Sequence, residues 1–244
     1  LAAMFTIGML SWCSWYCGKR KADLAIFYAF IGLATLAKGP IAPFLAGLLI
    51  VVFAIAKRDV TVVKQTLWVP GVVVFSAVAL PWYVLVQLHN PEFFRVFILQ
   101  HNLERFGTNL YHHVEPFWYY APVSLLGLIP WTVLVAASCA LVVRLWKSEG
   151  RHFLQSDGWW SVFLLIWLIV PILFFSISQS KLPGYILPAL PAGTLLVAEY
   201  VRQLVNENRR PGVAWILLHS LVAAAPLVPA LMIQYIVLEH HLQW

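Results

Sequence analysis

The chain has 244 residues, 61% of them hydrophobic and only 11% charged, with a formal net charge of +6 and a mean hydropathy of +0.81. That composition excludes a soluble globular domain and marks an integral membrane protein. It also argues against nucleic acid as the target of the positive charge: twelve of the sixteen Lys and Arg residues are accounted for as topology determinants, and none builds a basic, aromatic-laced groove.

A spanning helix needs roughly 20 mostly apolar residues. Eight segments meet or approach this: 1–18, 23–37, 40–56, 67–88, 118–143, 159–178, 184–201 and 212–238. The expected fold class is all-α, a polytopic transmembrane helical bundle, with residues 1–244 forming a single transmembrane domain. Because the chain starts at Leu1 within a hydrophobic run and without a basic leader, an N-terminally truncated fragment is expected, lacking upstream spans. Cys13, Cys17 and Cys139 fall inside spans, where thiols act as small apolar residues and imply no disulfide framework.

Every second polar break is basic. Lys19, Arg20 and Lys21 form the first, Lys57, Arg58 and Lys64 the second, Arg144, Lys147 and Arg151 the third, and Arg202, Arg209 and Arg210 the fourth. By the positive-inside rule these breaks face the cytoplasm. The other four cations, Lys38, Arg95, Arg105 and Lys181, lie on the opposite side and are the first candidates for function.

The outward breaks differ in length. Lys38-Gly39-Pro40 is a tight reversal, in which Gly supplies backbone freedom and Pro opens the next helix. Residues 89–117 form an external loop that is partly helical. Asn90-Pro91-Glu92 reads as a helix start, and a helix from Pro91 to about Phe106 puts His101 and Arg105 one turn apart on one face. Trp118, Tyr119 and Tyr120 suit a membrane-interface belt. The third outward break, residues 178–185, again sets Lys181 beside Pro183 and Gly184.

Two readings stand for Lys38 and for Lys181. Each is either an anchor that snorkels its ammonium to the headgroups or a fixed cation for a phosphate near the membrane surface. Two lone lysines in Pro- and Gly-bounded turns on the cation-poor side favour a shared anionic ligand. Arg95, three residues after Glu92, reads as a surface ion pair, whereas Arg105 shares a face with His101 within an aromatic stretch. External histidines are numerous (His89, His101, His112, His113, His240, His241), yet no ligand spacing typical of a zinc site is present, so no metal site is assigned. Ionisable groups within the spans are confined to His219 and Glu199, which argues against ion-coupled transport.

Three blocks, GLATLAKGP (32–40), residues 90–131 with NPEFFRVFILQHNLERF and HHVEPFWYYAPVSLLGLIPW, and SISQSKLPGYILPALP (176–191), together resemble the bacterial aminoarabinose transferase and protein O-mannosyltransferase-like glycosyltransferases, integral membrane enzymes of the GT-C fold. The resemblance runs through most of residues 30–200 in the same order. It implies transfer of a sugar from a polyprenyl-phosphate carrier to a lipid, glycan or protein acceptor, on the periplasmic side of the bacterial inner membrane. The family's phosphate-cradling residues match Lys38, Lys181, Tyr185 and Arg105, and His101 stands beside them. The family's general base is an Asp in the first external loop, upstream of Leu1, while Asp23, Asp59 and Asp157 all fall on the cytoplasmic side. Ala37 and His101-Asn102 replace an acid and a Glu-His pair of the aminoarabinose transferases, so neither a metal site nor that particular sugar is implied. No cofactor is required for such a displacement, and a divalent metal is left as an option. The alternatives are a non-catalytic polyprenyl-phosphate binding protein or flippase, which needs the same external cations but no base, and a structural membrane subunit.

Overall fold

The computed structural model describes residues 1–97, 115–156, 158–208 and 212–239; within the last helix, the side chains of Ile233 and of residues 235–239 are left undescribed. The described residues form helices joined by turns and short irregular segments, and the chain separates into two compact units. The first comprises Leu1–Tyr120 and Ile166–Pro191, the second Ala121–Leu165 and Ala192–Trp244.

In the first unit, α1 (Ala2–Gly18) and α2 (Lys21–Lys38) pack along each other, and α2 in turn packs against α5 (Val69–His89). Phe5, Met9, Trp12 and Trp15 recur at helical spacing along α1 and are almost completely buried. The helix ends where Lys19 turns left-handed and donates its N–H to Trp15 O. The Lys38-Gly39-Pro40 reversal has the form the sequence predicts. Gly39 sits at φ 79°, a conformation open to glycine, and its N–H caps α2 on Thr35 O, after which Pro40 leads into α3 (Ile41–Lys57). Helix α3 is apolar all round. It buries Leu45, Leu49 and Phe53 but exposes Phe44, Val51 and Ile55, as a helix with one face in lipid would.

A short α4 (Thr61–Thr66) closes this end of the unit. Thr66 anchors it twice, accepting Trp12 Nε1–H on its hydroxyl at 3.0 Å and the Tyr28 hydroxyl on its carbonyl at 2.8 Å. Lys19 Nζ donates to Gln65 Oε1 at 3.1 Å, and Lys57 Nζ to the Tyr16 hydroxyl. The first two basic breaks therefore lie together at one end of unit 1, and Lys38 lies at the other end of α2. Their separation along that 18-residue helix is about 27 Å.

After α5, Asn90 is extended and residues 93–97 wind into a helical turn. The rest of the predicted 91–106 helix lies outside the described residues, as do His101, Asn102, Glu104 and Arg105. Arg95 pairs with Glu92 at 3.7 Å, both side chains largely exposed, as the spacing predicts. The predicted span 118–143 is not straight. It is a 3₁₀ turn (Phe117–Tyr119), α6 (Tyr120–Gly127) and α7 (Thr132–Glu149), bent by 114° at residues 128–131. Pro130 explains the break, because it has no N–H for the helical ladder and disfavours helical geometry in the residue before it.

In the second unit, α8 (Arg151–Gln155) folds back on α7, and α7 packs against α11 (Val213–Ala224), where Trp131 stacks on His219 at 5.8 Å. Helix α9 (Gly158–Ile177) begins in the second unit and ends in the first, and α10 (Leu190–Asn206) runs back. The predicted span 184–201 starts later than expected, because Pro183–Ile186 form a 3₁₀ turn before α10. Glu199 on α10 accepts a bidentate bond from Arg202 and another from Gln203, which explains how this carboxylate is tolerated in a buried position. The last predicted span is α11 followed by α12 (Leu227–Glu239), joined at Pro226.

Among the described residues, Val69–His89, Gly158–Ile177 and Val213–Met232 are long and apolar enough to cross a membrane, and a fourth crossing results if the bent pair is one span. Helices α1, α3 and α10 have 17 residues each, about 26 Å, slightly less than a typical ~30 Å hydrocarbon core. The all-α, polytopic membrane class is the observed one.

The tightest packing tests this arrangement. A Cβ on Gly71, at the start of α5, would come within 2.2 Å of the Tyr28 ring, which is itself tethered to Thr66 O. Gly71→Ala is expected to lower stability by about 1–3 kcal/mol, whereas Gly47→Ala, with no atom within 4 Å of its Cβ, leaves it unchanged or raised. Unfolding midpoints of the two variants in detergent check this; equal midpoints would disprove the packing of α2 on α5.

Candidate functional site

The site is built on two chain reversals of the first unit that the sequence separates by some 140 residues. One is the end of α2, where the Gly39 turn fixes the direction of Lys38. The other is the segment after α9, where Ser178 through Ala189 run without regular helix. Lys38 Nζ lies 4.0 Å from the centroid of the Tyr185 ring, close enough for a cation–π contact. The ring is carried by the 3₁₀ turn and steadied by Phe175, whose centroid is 5.4 Å away. Lys38 and Tyr185, both predicted site residues, are thus in contact.

Lys181 is placed differently. It is only 6% exposed, and its ammonium donates to Ser178 O at 2.7 Å and to Glu115 O at 2.9 Å. Two of its three N–H donors therefore hold backbone carbonyls, tying the residue 178–182 turn to the segment that precedes α6. Of the two readings open from sequence, Lys181 does not have the exposure of a snorkelling anchor. His101 and Arg105, the other predicted site residues, lie outside the described residues.

Several residues that shape the site carry little sequence signal for that role. Tyr120, fully buried, donates its hydroxyl to Leu182 O at 3.0 Å and accepts Leu182 N–H at 3.2 Å. Ser178 Oγ donates to Ser180 O, and Trp167 Nε1 to Pro188 O. Tyr83 on α5 donates to Thr35 O at 2.9 Å, one turn before Lys38. The acceptors are carbonyls, which every residue possesses, so only the aromatic run 118–120 hinted at one of these donors.

Beside the Lys38 turn a cavity of about 550 Å³ opens between α2, α3 and α5, its walls almost wholly apolar. Thr35, Pro40, Tyr83, Phe93 and Phe94 line its outer part. Gln87 closes that part by donating its amide to Pro91 O and accepting Phe94 N–H, both at 2.9 Å. A cation in a turn whose neighbours Thr35 and Pro40 line an apolar slot suits an amphiphile with an anionic head. Asp23 and Asp59 belong to the opposite end of the unit and are engaged there by Ser14 and Thr61. Among the described residues no three His, Cys, Asp or Glu side chains gather as metal ligands, and five of the six external histidines are outside that set.

If Tyr120 holds the turn, Tyr120→Phe leaves both polar groups of Leu182 without this partner and costs about 1–3 kcal/mol. Chemical denaturation in micelles measures it. A loss below about 0.5 kcal/mol would show that the clamp is not needed.

No protein-family model matches the chain. The chain is 32% identical over 218 residues to the undecaprenyl phosphate-α-4-amino-4-deoxy-L-arabinose arabinosyl transferase of Edwardsiella ictaluri, a match covering 85% of this chain and 37% of that protein. It is 32% identical over 219 residues to the enzyme of the same name from Enterobacter sp., covering 86% and 37%. Among solved structures, ArnT from Cupriavidus metallidurans, crystallised with undecaprenyl phosphate, matches with a TM-score of 0.61 and 29% identity over 77% of this chain and 34% of that one. The chain spans little more than a third of the length of these curated relatives. Over that third, in sequence and in fold, this membrane chain is related to the GT-C-type aminoarabinose transferases that its three motif blocks resemble.

Proposed function

We propose that the chain serves a membrane glycosyltransferase that moves a sugar from a polyprenyl-phosphate carrier to a lipid, glycan or protein acceptor. The observation that carries this reading is the Lys38–Tyr185 contact, with Thr35 and Pro40, on either side of Lys38 in the chain, lining an apolar cavity. It unites two of the three resembling blocks and presents a positive charge where a phosphate head would sit above its isoprenoid tail. Lys38 binds the phosphate. Lys181 holds the adjoining turn and has one N–H left over from its two carbonyl bonds, and this reading assigns it to the same head together with Tyr185, Arg105 and His101.

The acceptor oxygen attacks the anomeric carbon, a carboxylate takes the acceptor's proton, and the bond from that carbon to the phosphate oxygen breaks. The carrier phosphate departs with the electron pair, its growing charge stabilised by Lys38. Asp23 and Asp59 are not candidates for the base, since they lie at the opposite end of the unit. Neither a cofactor nor a metal is needed for this step. In this reading the protein lies in the bacterial inner membrane with the Lys38 end facing the periplasm, which is supported by the segregation of the first two basic breaks from Lys38.

Transfer of radiolabelled sugar from its polyprenyl phosphate, assayed with the full-length polypeptide in detergent, is the test. Lys38→Ala should lower turnover about 10²–10³-fold, as removing a preorganised charge-stabilising donor does, with expression and unfolding midpoint unchanged. Wild-type turnover in this variant would remove Lys38 from the mechanism.

A further inference from the structure

The end of unit 1 remote from Lys38 gathers six cations in and around two turns: Lys19, Arg20 and Lys21 between α1 and α2, and Lys57, Arg58 and Lys64 from the end of α3 into α4. The two carboxylates there are engaged locally. Asp23 accepts the Ser14 hydroxyl at 2.9 Å and faces Arg20 at 3.6 Å, while Asp59 accepts the backbone N–H and hydroxyl of Thr61 at 3.0 and 2.6 Å.

Lys19 and Lys57 instead converge on one aromatic side chain. Lys19 Nζ stands 4.7 Å from the ring centroids of both Trp15 and Tyr16, and Lys57 reaches the Tyr16 hydroxyl from the neighbouring helix. Gln65 fixes Lys19 from α4. Among the described residues neither lysine makes an ion pair. Partial burial first, and then the Lys57 charge, lower the Lys19 pKa from its ordinary value; nearby Asp59 opposes this without reversing it. Two ammonium groups crowded on one ring, with the single Asp59 carboxylate near both, gain from a further anion that both can reach.

The setting indicates which anion. Tyr16 and Trp68, both partly exposed and with Lys21 Nζ 5.4 Å from the Trp68 ring, are aromatics of the kind found at membrane interfaces. Leu67 and Val69 next to Trp68 are 70% and 76% exposed, an apolar surface that water disfavours and acyl chains cover. We propose that Lys19 and Lys57 hold the phosphate of an anionic phospholipid at the membrane face opposite the Lys38 cluster, with its acyl chains against Leu67 and Val69. The proposal rests on the membrane location alone and not on sugar transfer.

Native mass spectrometry of the full chain in detergent, with added phosphatidylglycerol or phosphatidylcholine, tests it. Wild type should retain phosphatidylglycerol in preference to phosphatidylcholine. Lys19→Gln/Lys57→Gln should lower that retention about tenfold, while Arg20→Gln/Lys64→Gln, which removes the same charge from neighbouring positions, lowers it less than about threefold. Lys19→Arg/Lys57→Arg should preserve it. Should the glutamine pair not fold, the single substitutions, each expected to cost about threefold, carry the same comparison. Equal losses in the two charge-matched pairs, equal retention of the two lipids, or displacement of phosphatidylglycerol by millimolar inorganic phosphate would each overturn the assignment.

Discussion

Backbone that leaves the helix near a membrane has little water to satisfy its carbonyls, and each one left bare costs several kcal/mol in hydrocarbon, so such a segment persists only where protein donors replace the solvent. Residues 178–189 are that segment here. Pro183, Gly184 and Pro188 keep it from continuing as a helix, and its carbonyls are met one by one: Ser178 O by Lys181, Ser180 O by Ser178, Leu182 O by Tyr120 and Pro188 O by Trp167. Only with these bonds made is the 3₁₀ turn that carries Tyr185 fixed in place, and only then does the ring stand where Lys38 can rest on it. The helices α2 and α9 supply rigid supports, but the irregular stretch between α9 and α10 sets the position of the site.

The same constraint separates two lysines that sequence treats alike. Both follow a helix and precede a Gly or Pro, and both match the resembling family's motif blocks. Lys181 is almost fully buried because the carbonyls of Ser178 and Glu115 replace its hydration. Lys38 contacts a ring face, which orients an ammonium through the ring's quadrupole. Which lysine would take which role depends on the three-dimensional path of segments about 140 residues apart. No local pattern encodes that path.

Elsewhere the legibility of the chain follows the reach of the signal. Hydrophobic length and the alternation of basic breaks located helices α1, α2, α3, α5 and α9 to within a few residues, because those signals are local and redundant. They failed at residues 128–131 and at 183–186, where proline interrupts a run that remains apolar on both sides. Hydropathy measures the solvent a segment prefers and is blind to the backbone N–H that proline lacks. The Lys38-Gly39-Pro40 reversal was legible for the converse reason, since its geometry is imposed by the covalent structure of the residues themselves. Tyr120, Gln87 and Thr66, whose partners are carbonyls or lie some forty to sixty residues away, could not be found in this way.

Helix α2 joins two ends that use ammonium groups in related ways. At one end Lys38 rests on Tyr185, and at the other Lys19 rests on Trp15 and Tyr16. An aromatic ring holds the stem and head by dispersion and quadrupole attraction, contributing about 0.5–2 kcal/mol. In a chain with only ten acidic residues against sixteen basic ones, and with twelve tryptophans, such pairing is the arrangement available. It keeps cations ordered at a membrane surface. What distinguishes the two ends is their surroundings. Beside Lys38 the turns are clamped by buried hydrogen bonds and an apolar cavity of about 550 Å³ adjoins them, whereas Lys19 and Lys57 lie on an exposed turn beside open apolar surface. In the proposed reading the first holds a phosphate in one fixed orientation, as displacement at an attached sugar requires. The second can only hold it in place.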